Sequence, residues 1–342
     1  MIDFSETIIR KLIVHRASAD TNKSQLGDSL YDYSNDEELE ILKKIFLKPF
    51  STSSQTYEFK HQIDLELNPL FKISEGIHDD DDFIHRSKDI CIHLNTVSKH
   101  PNIKDGDLFV VKFEDVKINN TFYEALGIYK IENKESFIET RSNSKGQVDL
   151  QFRKGIGSKR LDKACLILFT KEPYTVFIID SGGVETEYWR NDFLNVNLKN
   201  DNINHTNQFL NLTKSFVTER LPSETQVSRA DQIDLLNRSV KYFKNNDVFE
   251  KDIFEREVLQ EGNVINAFRS FNSSLSNDQG LILKDHFNIS PEAVKKQARI
   301  FKSVLKLDKN FDIYIHGDKN LIERGVETDG RKFYKIYYDQ EK

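Results

Sequence analysis

The sequence has 342 residues, 38% of them hydrophobic and 30% charged, with a net charge of −6 at pH 7. That length allows two domains with separate cores, and 6 Pro and 14 Gly are too few for a low-complexity chain. No apolar run approaches the roughly 18 residues of a membrane span, and a chain that is acidic overall is not the uniformly basic module typical of dedicated DNA binding.

The segment Glu6 to Arg16, rich in β-branched residues, reads as a strand, and Asn22 to Tyr33 as a second strand pairing with it. A helix is expected from Asp36 to Phe46, with Asn35 as cap, Glu38 three residues on, and Leu39, Leu42 and Phe46 on one face. Asp79 to Asp82 precede a stronger helical pattern in which Phe83, Ser87, Ile90, Cys91, Leu94 and Val97 recur at three or four residues. Four aspartates beside His78 and His85 suggest either a metal site or acids that complement the positive end of a helix, and an unbroken run cannot aim every carboxylate at one ion. Strands follow at Leu108 to Phe113, Tyr123 to Ile131, Ser136 to Thr140 and Val148 to Phe152, with Asn-containing turns between them. Short connections favour an antiparallel sheet.

Gly155 to Lys163 is a loop with two glycines and the basic residues Lys159, Arg160 and Lys163. It reads either as a phosphate contact, because glycines let backbone amides approach an anion, or as a plain turn leading into a core strand. The apolar runs Ala164 to Phe169 and Tyr174 to Ile179, separated by Lys171-Glu172-Pro173, read as adjacent buried strands. After the only Trp, Trp189, the polar stretch Asn195 to Asn204 marks a domain boundary, giving domains at 1–195 and 205–342. Helices are expected at His205–Glu219, Arg229–Lys244, Val248–Leu259 and Asn263–Leu275; Ser228 with Asp231 is the clearest start signal. Ser290-Pro291 opens a further helix, and Val304 to Leu307, Phe311 to His316 and Lys332 to Tyr338 read as a small β-meander. The fold class is therefore α+β: an N-terminal mixed domain with a largely antiparallel sheet, then a mainly helical domain ending in a small sheet.

Three segments carry a family resemblance. Lys159-Arg-Leu-Asp-Lys163-Ala-Cys-Leu-Ile-Leu, Tyr188-Trp-Arg-Asn-Asp-Phe193-Leu194 and His205-Thr206-Asn-Gln-Phe209-Leu210 together resemble the bacterial nucleoid-associated proteins of the NdpA family. The order of elements on either side is similar too, so the resemblance covers most of the chain. It implies a non-enzymatic protein of the cytoplasm and nucleoid that associates with double-stranded DNA, with a topoisomerase as a further partner and no cofactor.

The residues themselves offer no catalytic signature: no phosphate-binding Gly-x-x-x-x-Gly-Lys-Ser/Thr loop, no Gly-x-Ser-x-Gly elbow, no His-Glu-x-x-His and no Cys-x-x-Cys. The N-terminal Met1-Ile-Asp-Phe-Ser-Glu lacks the basic-then-apolar order of a secretory signal, and Cys91 and Cys165 read as buried free thiols. Charge is uneven: residues 1–204 hold 27 basic against 34 acidic residues, and residues 205–342 hold 22 against 21. DNA contact must therefore come from a local patch. The best is Lys284 to Lys309, with seven basic and three acidic residues. Its candidate contacts are Lys295, Lys296, Arg299, Lys302 and Lys306: Lys295, Arg299, Lys302 and Lys306 share one stripe if a helix runs through, or Lys302 and Lys306 alternate with Val304 if a strand begins there; the bland alternative is a solvated face. Tyr314, Phe333, Tyr334, Tyr337 and Tyr338 could stack on bases or pack as core. Symmetric pairing into a homodimer would double such a patch, and an adaptor docking on a topoisomerase is the alternative function.

Overall fold

The computed structural model describes residues 2–53, 55–118, 120–142, 146–157, 161–181, 187–225, 227–279, 283–298, 301, 304–307, 309–314 and 321–340. The chain divides into two compact units, Met1–Lys199 and Asn200–Lys342.

The first unit is built on an eight-stranded antiparallel sheet. Its strands are β1 (Ile2–Asp3), β2 (Ile8–Ala17), β3 (Tyr57–Phe59), β4 (Gly106–Ile118), β5 (Thr121–Ile131), β8 (Lys163–Leu168), β9 (Thr175–Asp180) and β10 (Val196–Leu198). From one edge the order is β1 and β2 side by side on β4, then β5, β8, β9, β3 and β10. Side chains alternate across the pleat. Leu108 and Val110, Leu126 and Ile128, Cys165 and Ile167, and Val176 enter one core with Phe71, Ile90, Leu94, Trp189 and Phe193. Val111 and Phe113, Ala125 and Tyr129, Leu166 and Leu168, and Phe177 enter another with Phe46, Leu47 and Phe50. Burial on both faces explains why these strands read as continuous apolar runs.

Three α-helices supply part of those covers, α1 (Asp36–Phe46), α2 (Pro69–His78) and α3 (Phe83–Val97), and the short helical turns Lys48–Thr52 and Trp189–Leu194 supply the rest. The start of α1 is the expected one, with the Glu38 amide donating to Asn35 Oδ1 at 2.9 Å. In α2 the Asn68 side chain accepts the Leu70 and Phe71 amides ahead of Pro69 at the first turn. This Asn-Pro start signal went unread in the sequence because Ile63 to Leu67 before it carries no clear period.

Two expectations for this unit are corrected. Asn22 to Tyr33 forms no strand; it touches β2 through a bridge at Gln25 and a bond from the Tyr31 amide to the Leu12 carbonyl. Its Asn, Lys, Ser and Gly content suits turns, and side chains take its backbone bonds, as where Gly27 N–H donates to His15 Nδ1 at 2.9 Å. The alternating strands β6 (Glu135–Ser142) and β7 (Val148–Gly155) stand outside the main sheet as a separate hairpin. At its base Asp162 accepts the amides of Glu132 and Asn133, at 2.8 and 2.9 Å, and the Asn133 side chain at 2.9 Å.

The second unit is mainly helical: α4 (Asn202–Ser215), α5 (Leu221–Glu224), α6 (Arg229–Asn245), α7 (Lys251–Phe254), α8 (Gly262–Gln279) and α9 (Pro291–Gln297). Ser228 and Asp231 form the predicted reciprocal cap of α6. The expected helix from Val248 begins three residues late, because β11 (Val248–Glu250) pairs with β12 (His286–Asn288). Phe209 of α4 sits among Phe243, Phe249, Phe254 and Phe268, with ring centroids 4.1 to 5.8 Å away. The chain ends in two separate hairpins, β13 (Val304–Leu307) with β14 (Phe311–Tyr314) and β15 (Ile322–Val326) with β16 (Lys332–Ile336), where one meander was expected.

Candidate nucleic-acid interface

The favoured basic strip begins on α9. Ser290 caps it, its Oγ accepting the Ala293 amide at 3.3 Å, and Pro291 fills the first helical position. Two buried polar bonds fasten the helix to α4: the Ser290 amide donates to Thr206 Oγ1 at 3.0 Å and Gln297 Nε2 to Asn207 Oδ1 at 3.2 Å. Ala293, Val294 and Gln297 face inward, so Lys295 is exposed and Lys296 half-buried. Burial pushes the Lys296 ammonium below its usual pKa. Both lysines occupy the last turn, where a cation also complements the negative end of a helix.

The helix stops at Gln297, and the next described element is β13. No single helix therefore carries Lys295 and Lys306 on one stripe. Lys306 lies in β13 at the register position opposite Asp312. Arg299 and Lys302 lie outside the described residues, as do Lys159 and Arg160 of the glycine loop. Lys284 and Lys309, flanking the strip, are exposed.

The terminal hairpins attach to α6 through Ile233, against which Leu307, Ile313, Ile322 and Tyr334 pack. That contact decides between the two readings of the aromatics. Tyr334 and Phe333 are half-buried, whereas Tyr314, Tyr337 and Tyr338 are exposed, as is Phe311. Lys335 Nζ lies 4.9 Å from the Tyr337 ring centroid, and the Tyr337 hydroxyl donates to Glu323 at 2.8 Å. Arg324 and Lys332 share one face of the β15–β16 ribbon with Tyr334, to which Arg324 is directly opposite. These two cations were missed in the sequence; the signal was the alternation Lys332, Tyr334, Ile336 after the Asp329-Gly330 turn.

Lys163 goes elsewhere. It is the first residue of β8, only 3% exposed, with its Nζ 2.8 Å from Asp180 Oδ1 and 5.2 Å from the Tyr188 ring centroid. Lys130 is its cross-strand neighbour, equally buried, 3.0 Å from Glu132 and 3.2 Å from the Tyr188 hydroxyl. Burial lowers the Lys130 pKa against the pull of Glu132 and raises that of Tyr188. Two ammonium groups placed side by side are destabilising alone; the two carboxylates and one tyrosine make the group neutral and internal.

The remaining candidate clusters are likewise occupied. Asp82 caps α3 by accepting the Ile84 and His85 amides, Asp80 binds Lys112 at 2.7 Å, and Asp81 binds Arg86 at 2.6 Å. Asp80, Asp81 and Asp82 thus serve three different partners. Cys91 and Cys165 are buried free thiols, and burial pushes the Cys91 pKa up to about 11.

His15 and Ser87 approach to 3.0 Å in the buried layer between β2 and α3. The Gly27 amide donates to His15 Nδ1, so Nε2 carries the proton and donates to Ser87, whose own hydroxyl donates to the Ile84 carbonyl at 2.7 Å. A histidine holding its proton toward the serine cannot act as its base. Burial, aided by Lys88, depresses the His15 pKa to about 4. The folded value lies below the unfolded one, so the stabilisation is full above pH 6.5 and shrinks as pH falls toward 4. About 2 kcal/mol should be lost between pH 6.5 and 5. Urea titrations across that range should show the loss, and His15→Gln should show a correspondingly flatter pH dependence.

The chain matches the family described as nucleoid-associated protein YejK over residues 13–337. No curated protein matches the chain. Among the described residues no helix is long and apolar enough to cross a membrane.

Proposed function

The chain belongs to the YejK family of nucleoid-associated proteins, and from that premise we propose that it contacts double-stranded DNA through its second unit, without catalysis. The carrying observation is the exposure of Lys295 at the end of α9, beside a chain segment that continues with Arg299, Lys302 and Lys306. Exposed Tyr314, Tyr337 and Tyr338, with Arg324 and Lys332 on the last ribbon, add cations and aromatic faces to the contact region within the same unit. The Lys163 ammonium is committed to Asp180, so the glycine loop would contribute through Lys159 and Arg160 alone. Phosphate contacts of this kind give affinity with little sequence preference and a strong dependence on salt. The occupied His15–Ser87 pair and the dispersed aspartates favour a non-enzymatic reading.

The test is fluorescence anisotropy of a labelled duplex over about 50 to 200 mM salt, with and without magnesium. Changing Lys295, Arg299 and Lys302 together to Ala should weaken binding similarly for all sequences. It should also make the plot of log affinity against log salt shallower by about one unit per lost contact. Unchanged affinity and slope would remove this surface, and magnesium-dependent loss of the duplex would indicate a nuclease.

A second reading, an adaptor docking on a topoisomerase or another DNA-bound enzyme, is favoured by the acidic excess of residues 1–204, at 34 against 27 basic residues. Such a surface repels DNA and suits a basic protein. Capture of a topoisomerase by residues 1–199 with no duplex present would separate this reading from the first.

A further inference from the structure

We propose that the β6–β7 hairpin is a homodimerisation arm, its apolar face stacking on the same face of a second copy of this chain. The register sets Ile138 opposite Phe152, Thr140 opposite Leu150 and Ser142 opposite Val148. These pairs share one side of the ribbon. Ile138 is 59% exposed, Phe152 77%, Leu150 64% and Val148 69%, and among the described residues none of the four belongs to a hydrophobic cluster. The opposite side carries Phe137, 50% exposed, together with Glu139, Arg141, Gln151 and Arg153, whose polar groups satisfy one another: Arg141 reaches Glu139 at 2.9 Å, and Arg153 reaches Glu139 at 3.3 Å and Gln151 at 3.0 Å. One side is thus mainly polar, and the other mainly apolar. A lone two-stranded ribbon is marginal in water and needs a layer against its apolar face.

Three observations point to a second copy as that layer. The two strands balance Glu135, Glu139 and Asp149 with Arg141, Arg153 and Lys154, and Lys145 between them brings the hairpin to only +1, too little to attract DNA or an anionic membrane. The apolar face tapers, with bulky Phe152 and Ile138 near the base and Val148 with Ser142 toward the turn. A two-fold axis near Leu150 and Thr140 would set each bulky end against the small end of its mate, giving an even layer at the ordinary spacing of stacked sheets. The area also suits a dimer. Four large side chains expose on the order of 100 Å² each, so two copies with their flanking threonines and serines would bury roughly 1,000 Å², the lower range of specific interfaces. Larger exposed apolar patches on a monomer mark such contacts.

Sedimentation velocity and light scattering over a concentration series are the measurements. The wild-type chain should reach about twice the 39.9 kDa of one copy. Leu150→Glu and, separately, Phe152→Glu should raise the dimer dissociation constant by roughly 100-fold or more, because each interface would bury two carboxylates in apolar contact. Both variants should keep the wild-type circular dichroism, and Arg141→Ala on the opposite side should leave the dimer intact. Leu150→Cys should give a covalent dimer on mild oxidation, since Cys91 and Cys165 are buried. A wild-type chain that stays monomeric at all concentrations would overturn the proposal, as would a dimer indifferent to both Glu variants. Anisotropy with the labelled duplex keeps the outcomes apart: a monomeric wild type whose duplex binding is weakened by Leu150→Glu would reassign the face to nucleic acid.

Discussion

Replacing Asp180 by Asn is expected to destabilise the first unit by about 3 kcal/mol, because it leaves Lys163 buried beside Lys130 with Glu132, among the described residues, as the one carboxylate in ion-pair contact with either ammonium group. The Lys163 side chain is 4% exposed and that of Asp180 19%, so water can compensate only a small part of the loss. The single Trp of the chain, Trp189, is buried next to Tyr188 in the same unit and reports the transition directly by fluorescence during urea unfolding. The double change Lys163→Met with Asp180→Leu should recover much of the stability, since a buried pair exchanged for apolar groups of similar volume is often neutral. Where Asp180→Asn remains folded, the salt dependence of duplex binding should match the wild type. A shallower slope in the folded double variant, which removes the Lys163 cation, would return Lys163 to the DNA surface.

Phe209→Ala should cost about 4 kcal/mol in the second unit, the range found for a large buried aromatic cut to a methyl group. Phe209 is 2% exposed and touches four phenylalanine rings drawn from α6, β11, α7 and α8. Its removal opens a cavity that these separate elements cannot close together. Phe209→Leu, which keeps most of the volume, should lose less than about 1.5 kcal/mol. Because α9 hangs from α4 through Thr206–Ser290 and Asn207–Gln297, losing this core also releases Lys295. Hydrogen exchange should then show lost protection in α6 with Trp189 fluorescence unchanged. Duplex affinity should fall with it, and binding that survives intact would move the DNA contact to the first unit.

Much of the fold was legible in local chemistry. Asn35 with Glu38, Ser228 with Asp231, and Ser290 with Pro291 each marked a helix start, because a cap is a bond between neighbours in sequence. The apolar runs of β8 and β9 announced themselves by being buried on both faces. Alternation misled for the β6–β7 hairpin, since a period of two gives a strand's sidedness and not what covers it. Lys163 read as surface because the carboxylate that keeps it inside comes 17 residues later, from the far strand of a hairpin. Val248 to Glu250 read as helix because its strand partner, His286 to Asn288, comes only after α7 and α8. For the candidate surface, the sequence supplied the cations of α9 but not where that helix ends, since nothing local at Gln297 stops it.

The clasp made by Asp162 has a consequence for how this chain can change. The ladder from β5 to β8 closes directly, and the excursion between them leaves at Glu132 and returns at Asp162, where three hydrogen bonds tie its two ends together. The strands of the hairpin beyond that knot can lengthen, shorten or exchange their sequence with only a slowly growing penalty in loop entropy, while strand order stays as it is and Ile156 and Leu161 keep their places against the core. The arm is therefore a separable module, free to alter assembly while the scaffold beneath it stays constant.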